Sequence, residues 1–408
     1  MISRLKGTDD ILPPESAKWR TLLRAFEDLS ERFGYEFALL PVMEPTELFA
    51  RGVGESTEVV EKQMYTFTDR GDRSVTLRPE LTAGMVRAFV EAGAQGTLKL
   101  AAAGPMFRYE QPQKGRRRQF FQVDFEYLGE ASPDADVEVI ELAYRLLESV
   151  HVPGIELKLN SIGDAGDRIA YREHLQRFLR GREKDLSEDG RRRIDTNPLR
   201  VLDSKTDAGV VADAPVPLDH LGTAAAAHFD AVKSGLESLE IQFEIDPRLV
   251  RGLDYYNRTV FEFFSSGFEA AQSALGGGGR YDPLAEAIGS SKAIPAVGAA
   301  MGCDRIVEAM PESPSPRLDV FVAVADPSRR EEARRWVSLL RNEGRRVDWD
   351  PTPGRSLRGQ FKAADRSGAA VVAIVGEEWG SGQVTVKRLE TGDEELVAIE
   401  EVGSWSSR

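Results

Sequence analysis

Residues 107–129, FRYEQPQKGRRRQFFQVDFEYLG, constrain this chain more than any other stretch. They predict two strands joined by a basic, glycine-containing loop. Successive side chains of a strand alternate between its faces. In the second strand Phe121, Val123, Phe125 and Tyr127 therefore share one face, and Gln122, Asp124 and Glu126 share the other. The polar face either meets water, as in an ordinary half-buried sheet, or lines a site. In a site the loop arginines would hold an anion, and Gln and Glu would read a small polar ligand beside it.

Around this hairpin the pattern is α+β. An amphipathic helix is predicted over 16–33, with Trp19, Leu22, Leu23, Phe26 and Leu29 on one side and Gly34 as its stop. A strand follows over 35–40, ended by Pro41, which has no ladder donor to give. Further strands are predicted at 63–67, 74–77, 99–103, 242–245, 259–264 and 296–300. Many strands with few intervening helices predict a largely antiparallel sheet flanked by helices. Residues 166–238 are helix-rich and highly charged, which fits an inserted helical module or a helical excursion of the same domain. The segment MPESPSPR has linker composition. The chain divides accordingly into 1–310, a linker at 311–317, and 318–408. The last part alternates strand and helix, with Ser328 capping the first helix and Gly344 ending it. That pattern predicts a separate α/β domain of mostly parallel sheet.

At 41% hydrophobic and 29% charged, the composition is that of a globular domain protein. No apolar run is long enough to span a bilayer, so no membrane role is expected. The net charge of −14 means that any polyanion must be held by local basic patches against the overall field. The single cysteine, Cys303, excludes an internal disulfide and fits the reducing cytoplasm. His151, His174, His220 and His228 lack metal-ligand spacing, so no protein-bound metal is expected.

Four short segments could carry chemistry. The glycines at 276–279 lack the Gly-Lys-Ser/Thr ending of a P-loop. They make either a flexible turn or a place where backbone approaches a ligand, with Arg280, Tyr281 and Asp282 lining the approach. LVRGLDYYNRTVFEF puts Arg251, Asp254, Tyr255 and Tyr256 just before a strand, as a pocket wall would. Arginine there can grip phosphate oxygens in bidentate fashion. In AVGAAMGCDR a small-residue strand leads into a helix with Arg305 in its first turn, which suits an anion. TLRPELTAG places Glu80 and Thr82 just past a strand, where they could bind an ammonium group. Arg108, Arg251 and Arg305, a glycine run and a polar strand face together suggest an ATP site beside a small-molecule site. No Ser-His-Asp set, Cys-His pair or metal cluster competes.

These segments closely resemble the histidyl-tRNA synthetase family, which belongs to the class II aminoacyl-tRNA synthetases. KGTDDILP resembles its N-terminal segment. The first helix and strand to Pro41 resemble motif 1, a dimer-interface element. FRYEQPQKGRRRQFFQ resembles motif 2 and VGAAMGCDR motif 3. RGLDYYNRTVFEF and GGGGRYD are similar to the two histidine-specific signatures, and LDSK at 202–205 also matches. RSLRGQFKAADRSGA and VTVKRLETG are similar to the family's anticodon-binding domain.

The resemblance implies a class II catalytic domain and a homodimer. It implies ATP with Mg2+, L-histidine and tRNA(His) as ligands and partners. Arg108 would hold the ATP α-phosphate, Arg305 the far end of ATP, and Arg251 the α-phosphate as an extra catalytic arginine. Glu80, Thr82, Gln122, Glu126, Arg251, Tyr256 and Tyr281 would form the histidine pocket. Glu110, Gln113 and Arg116 would serve ATP and the tRNA acceptor end. Departures from the family pattern are Ala299 in place of an aromatic, Asp304 in place of Glu, and Glu58 and Gln63 in place of Asp and Glu. The first would loosen adenine packing. Two other readings remain: a regulatory paralogue that senses histidine without activating it, and a synthetase for another amino acid. The C-terminal segment and Arg251 speak against the former, and RGLDYY with GGGRYD against the latter.

Overall fold

The computed structural model describes residues 2–54, 57–110, 117–202, 204, 206–267, 274–312 and 318–405. The chain forms two compact units, Met1–Glu312 and Ser313–Arg408. Gln113, Arg116, most of the proline-serine linker and part of LDSK lie outside the described residues.

The strands of the first unit are β1 (Glu36–Phe37), β2 (Met43–Pro45), β3 (Tyr65–Thr68), β4 (Ser74–Leu77), β5 (Leu98–Phe107), β6 (Gln119–Leu128), β7 (Ile155–Ser161), β8 (Glu244–Ile245), β9 (Asn257–Ser265), β10 (Ala274–Arg280) and β11 (Ala296–Gly302). They make a large sheet in the order β1-β5-β6-β11-β10-β9-β7-β8 and a small one in the order β2-β4-β3. Interior pairs of the large sheet are antiparallel, and its two edge strands add in parallel. The α+β expectation holds.

One face of the large sheet carries the main core. Val123 and Phe125 of β6 are fully buried there against Trp19, Leu22 and Phe26 of the helix Ser16–Arg32 and Val139, Ile140 and Leu146 of the helix Pro133–Ser149. Each such side chain contributes roughly 1.5–3 kcal/mol by leaving water. Ser132 starts the second helix: its Oγ accepts from the Asp134 N–H at 3.2 Å, with proline at the first helical position.

Several elements differ from expectation. The strand at 35–40 shrinks to Glu36–Phe37, because the chain peels off the sheet edge after Ala38 donates to the Ala101 carbonyl. Residues Val59–Gln63 coil into a wide π-helical turn, so the next strand starts only at Tyr65. The four glycines are neither a turn nor a loop but the middle of β10. The helical segment is not one body. Tyr171, Leu175, Leu179, Ile194 and Val201 make a small core of their own. The helix Thr223–Ser238, by contrast, sends Phe229, Val232 and Leu236 into the main core. The ends of the small module lie side by side: Gly163 sits against Leu221, and Gly222 against Asp167.

The second unit holds β12 (Val320–Val324), β13 (Val347–Trp349), β14 (Val371–Val375), β15 (Gln383–Arg388) and β16 (Glu394–Ala398), in the order β13-β12-β14-β15-β16. The first three run parallel, but β15 and β16 are antiparallel, so the sheet is mixed rather than mostly parallel. Ser328 is not the helix cap. Asp326 accepts from the Ser328 N–H at 2.9 Å and nucleates a 3-10 turn, and the helix begins at Arg330. Ser356 does cap its helix, accepting from the Gly359 N–H at 3.3 Å.

Candidate active site

The polar face of β6 is not solvated. Asp124 and Glu126 have no exposed surface. Above this face of the sheet opens a cavity of about 460 Å³. Five elements aim side chains into it. Arg108 and Glu110 follow the end of β5. Gln122 comes from β6. Glu80 and Thr82 stand where β4 leads into the helix Thr82–Glu91. Arg251, Tyr255 and Tyr256 come from the turn before β9, and Arg305 from the first turn of the helix Cys303–Ala309.

The arginines are fixed before any ligand arrives. Arg108 Nε donates to the Pro79 carbonyl at 3.0 Å, and its guanidinium lies 5.1 Å from the Phe120 ring centre. Arg251 pairs with Glu262 at 2.7 Å. Arg305 Nη1 donates to the Ala274 carbonyl at 2.7 Å. Burial pushes the Arg108 pKa down, with Glu110 and Glu80 opposing. Burial also pushes Arg251 down, but Glu262 and the adjacent tyrosines more than reverse it. Arginine keeps its proton in either case.

The floor is acidic, and burial raises the pKa of each of its carboxyl groups. Burial raises Glu126 to about 8, against hydrogen bonds from Thr82 and Tyr281 that favour the charged form. Thr82 Oγ1 donates to Glu126 at 2.6 Å, and the Tyr281 hydroxyl donates to its other oxygen. Burial likewise raises Glu80, whose carboxylate accepts from the Ala83 N–H at 3.1 Å. Asp124 is pushed well above the usual carboxylate range by burial, then by Glu126 and Glu80. A floor with its charge suppressed beneath three guanidinium groups favours an anionic ligand.

Of the residues expected in the site, Arg108, Glu110, Arg251, Arg305, Glu80, Thr82, Gln122 and Tyr256 line the cavity. Glu126 and Tyr281 lie beneath that lining, reaching it through Thr82. Arg280 and Asp282 do not line the ligand approach. Arg280 is fully buried, its Nε donating to Asp136 at 3.1 Å and its Nη1 to the Glu130 carbonyl at 2.8 Å. Asp282 accepts from Asn257 at 3.0 Å and from the Ala296 N–H at 2.9 Å. Ala299 faces the main core, so it packs against no ligand in the cavity. Asp304 lines the cavity and is fully engaged: it accepts from Arg117 at 2.6 Å and from the Phe121 N–H at 2.8 Å.

Sequence reasoning missed Arg117, Phe120 and Glu262, and noted Glu58 and Gln63 only as departures. Arg117 bridges Asp304 to Asp9, 3.0 Å away, in the N-terminal segment. A lone glutamate in the apolar strand TVFEFF was the available signal for Glu262. Cys303 is packing, its thiol buried and its pKa raised accordingly. Among the described residues no group of three or more His, Cys, Asp or Glu could hold a metal. No described helix is long and apolar enough to cross a membrane.

The histidyl-tRNA synthetase family model matches residues 7–306, and an anticodon-binding domain model matches 319–407. The histidine–tRNA ligase of Geobacillus thermodenitrificans is 44% identical over 98% of this chain and 96% of its own length. That of Rhodococcus erythropolis is 45% identical over 97% and 95%. The solved apo histidyl-tRNA synthetase of S. aureus superposes with a TM-score of 0.82 at 32% identity, covering all of both chains. The family model spans the whole large sheet and every strand that lines the cavity, and relatives match from end to end: the chain belongs to the histidyl-tRNA synthetase family.

Proposed function

We propose that the cavity activates histidine with ATP, releasing pyrophosphate, and passes the histidyl group to the 3′ end of tRNA(His). The convergence of Arg108, Arg251 and Arg305 on one cavity above a buried polar strand face carries this reading. The histidine carboxylate is the nucleophile and attacks the α-phosphorus, so no covalent protein intermediate is needed. Charge builds on the phosphoryl oxygens, where prearranged guanidinium groups act at no reorganisation cost. Arg108 and Arg251 hold the α-phosphate, and Arg305 the far end of ATP together with Glu110. Gln113 and Arg116 of the motif 2 loop serve ATP and the acceptor end of the tRNA.

Histidine lies over the floor. Glu80 and Thr82 take its ammonium group, Gln122 and Tyr256 flank the imidazole, and Glu126 and Tyr281 support the pocket from beneath its lining. A site built to satisfy two ring nitrogens rejects apolar analogues by ~10⁴-fold or more, since its own polar groups would be left unpaired. Mg2+ would come in with ATP. It dehydrates reluctantly and takes one or two carboxylates plus phosphates and water, and Glu110 and Glu262 stand among the arginines to supply them. The ion would neutralise phosphate charge.

The working form is a homodimer. Phe37 and Leu39 of the motif 1 segment are 55% and 83% exposed, and Met43 and Phe67 of the small sheet 56% and 43%; such exposed apolar side chains suit a second copy. One cysteine and a tRNA substrate fit the cytoplasm. The intact Arg251 and the anticodon-domain match speak against a regulatory subunit that only senses histidine.

ATP–pyrophosphate exchange scanned over the twenty amino acids, without tRNA, tests the proposal. Exchange with histidine only is expected. Exchange with another amino acid would overturn the pocket assignment, and binding without exchange would favour the regulatory role.

A further inference from the structure

The wall that carries Tyr255 and Tyr256 is not held by the sheet alone. β9 is irregular at its start. Gly279 pairs with Val260, yet Arg280 pairs with Asn257, so β10 gives Arg258 and Thr259 no partners of their own. Such bulges re-aim side chains beside active sites. Arg258 takes φ +49, in the left-handed region that an arginine side chain disfavours. Strain of this kind persists only where the surroundings over-determine it.

The surroundings come from the root of the helical insertion. Arg258 N–H donates to the Gly163 carbonyl at 2.9 Å, and Ile162 N–H to the Arg258 carbonyl at 2.9 Å. Asp164 takes the Arg258 guanidinium in two bonds, 2.7 Å and 3.1 Å. One turn further, Arg168 Nη1 donates to the Tyr256 carbonyl at 2.7 Å. Asp164 and Arg168 sit at the start of the helix Ala165–Gly181, the first element of the module. On its other side Arg258 Nη1 lies 3.3 Å from His228 Nδ1, and His228 Nε2 lies 3.3 Å from Asp136. Asp136 holds Arg280, the residue before Tyr281. One polar chain thus ties the tyrosine at the cavity edge and the tyrosine under its floor to the insertion.

We propose that Arg168 and Asp164 are positioning residues for the histidine end of the cavity. By holding the Arg258 bulge and the Tyr256 carbonyl, they fix Tyr256 against the floor formed by Thr82 and Glu126. The inference rests on the function proposed above and adds to it: the insertion sets the affinity for histidine, not for ATP, whose arginines are anchored elsewhere. Arg108 is held by Pro79, Arg251 by Glu262 and Arg305 by Ala274.

The test is pyrophosphate exchange with the full-length chain carrying Arg168→Met, Arg168→Lys or Asp164→Asn. Displacing a positioning group by about an ångström costs up to ~10²-fold. Arg168→Met is therefore expected to raise KM for histidine about tenfold or more, with KM for ATP within about twofold of wild type. Arg168→Lys recovers most of the loss, because one ammonium donor can still reach one carbonyl. An unchanged histidine KM in folded Arg168→Met, or an equal rise for both substrates, overturns the proposal. If Arg168→Met fails to fold, Asp164→Asn decides: the same split supports the proposal and an unchanged histidine KM defeats it. Wild-type protein with no histidine-dependent exchange would instead overturn the function on which the proposal rests.

Discussion

The carboxyl of Glu126 has lost its water and kept two donors, Thr82 and Tyr281, and burial outweighs them. Its pKa goes from 4.5 in a solvated chain to about 8 in the fold. Between those values the folded protein holds a proton that the unfolded chain has released. The stability tied to this group is therefore complete below about pH 4.5 and is lost as pH rises through about 8. The melting temperature of ligand-free protein should fall between pH 5.5 and 8.5, and Glu126→Gln should flatten the fall. Parallel slopes in the two proteins would show that Glu126 does not titrate there. Arg251 acts on the reaction instead. Arg251→Ala should lower kcat for adenylate formation by ~10²-fold or more and leave histidine KM nearly unchanged, because the lost charge matters most in the transition state. Near-normal turnover would remove Arg251 from the α-phosphate.

At the scale of elements, β11 is small where β6 sends Glu126 across it, and β10 is small because the backbones of β9 and β11, with Arg251 and Tyr256, leave its glycines no room for a Cβ. A Cβ on Gly298 would lie 1.5 Å from Glu126 Oε2 and 2.8 Å from the Phe125 carbonyl. Gly298→Ala should cost ~1–3 kcal/mol and raise histidine KM together, read by thermal melting and exchange kinetics. Adding Glu126→Ala should not restore histidine binding and should recover at most part of the stability, because the Phe125 carbonyl still crowds the new Cβ and Thr82 and Tyr281 lose their acceptor. A Gly298→Ala protein as stable as wild type would mean that Glu126 is free to move aside. The alternation of Gln122, Asp124 and Glu126 was legible in the sequence because strand geometry is local. So were the arginines that end or begin elements. Arg280 was not: its partner Asp136 is 144 residues away, and nothing near RYD signals a buried ion pair. The turn reading of the glycine run failed for the same reason, since what excludes side chains there is the neighbouring strands, whereas the other reading, backbone close to a ligand, agrees with Gly276 lining the cavity. The antiparallel addition of β15 and β16 also depends on pairing that no local pattern fixes.

For the whole molecule, Phe37 and Leu39 at the β1 edge of the large sheet leave apolar surface in water. A double variant, Phe37→Asp with Leu39→Asp, should sediment as a monomer and lose most exchange activity, while the wild type sediments as a dimer. A dimer in both would place the contact elsewhere on the surface. The two units carry separate apolar cores, so each can be perturbed by itself. The small helical module has its own core too, and its two ends meet where Gly163 touches Leu221 and Gly222 touches Asp167. A gene could therefore gain or lose this stretch at a single codon junction, with a short bridge closing the gap and no strand of the sheet interrupted. What such an event would change is the grip on one tyrosine carbonyl, so that a genetic accident on the outside of the enzyme would be felt as altered appetite for its amino acid.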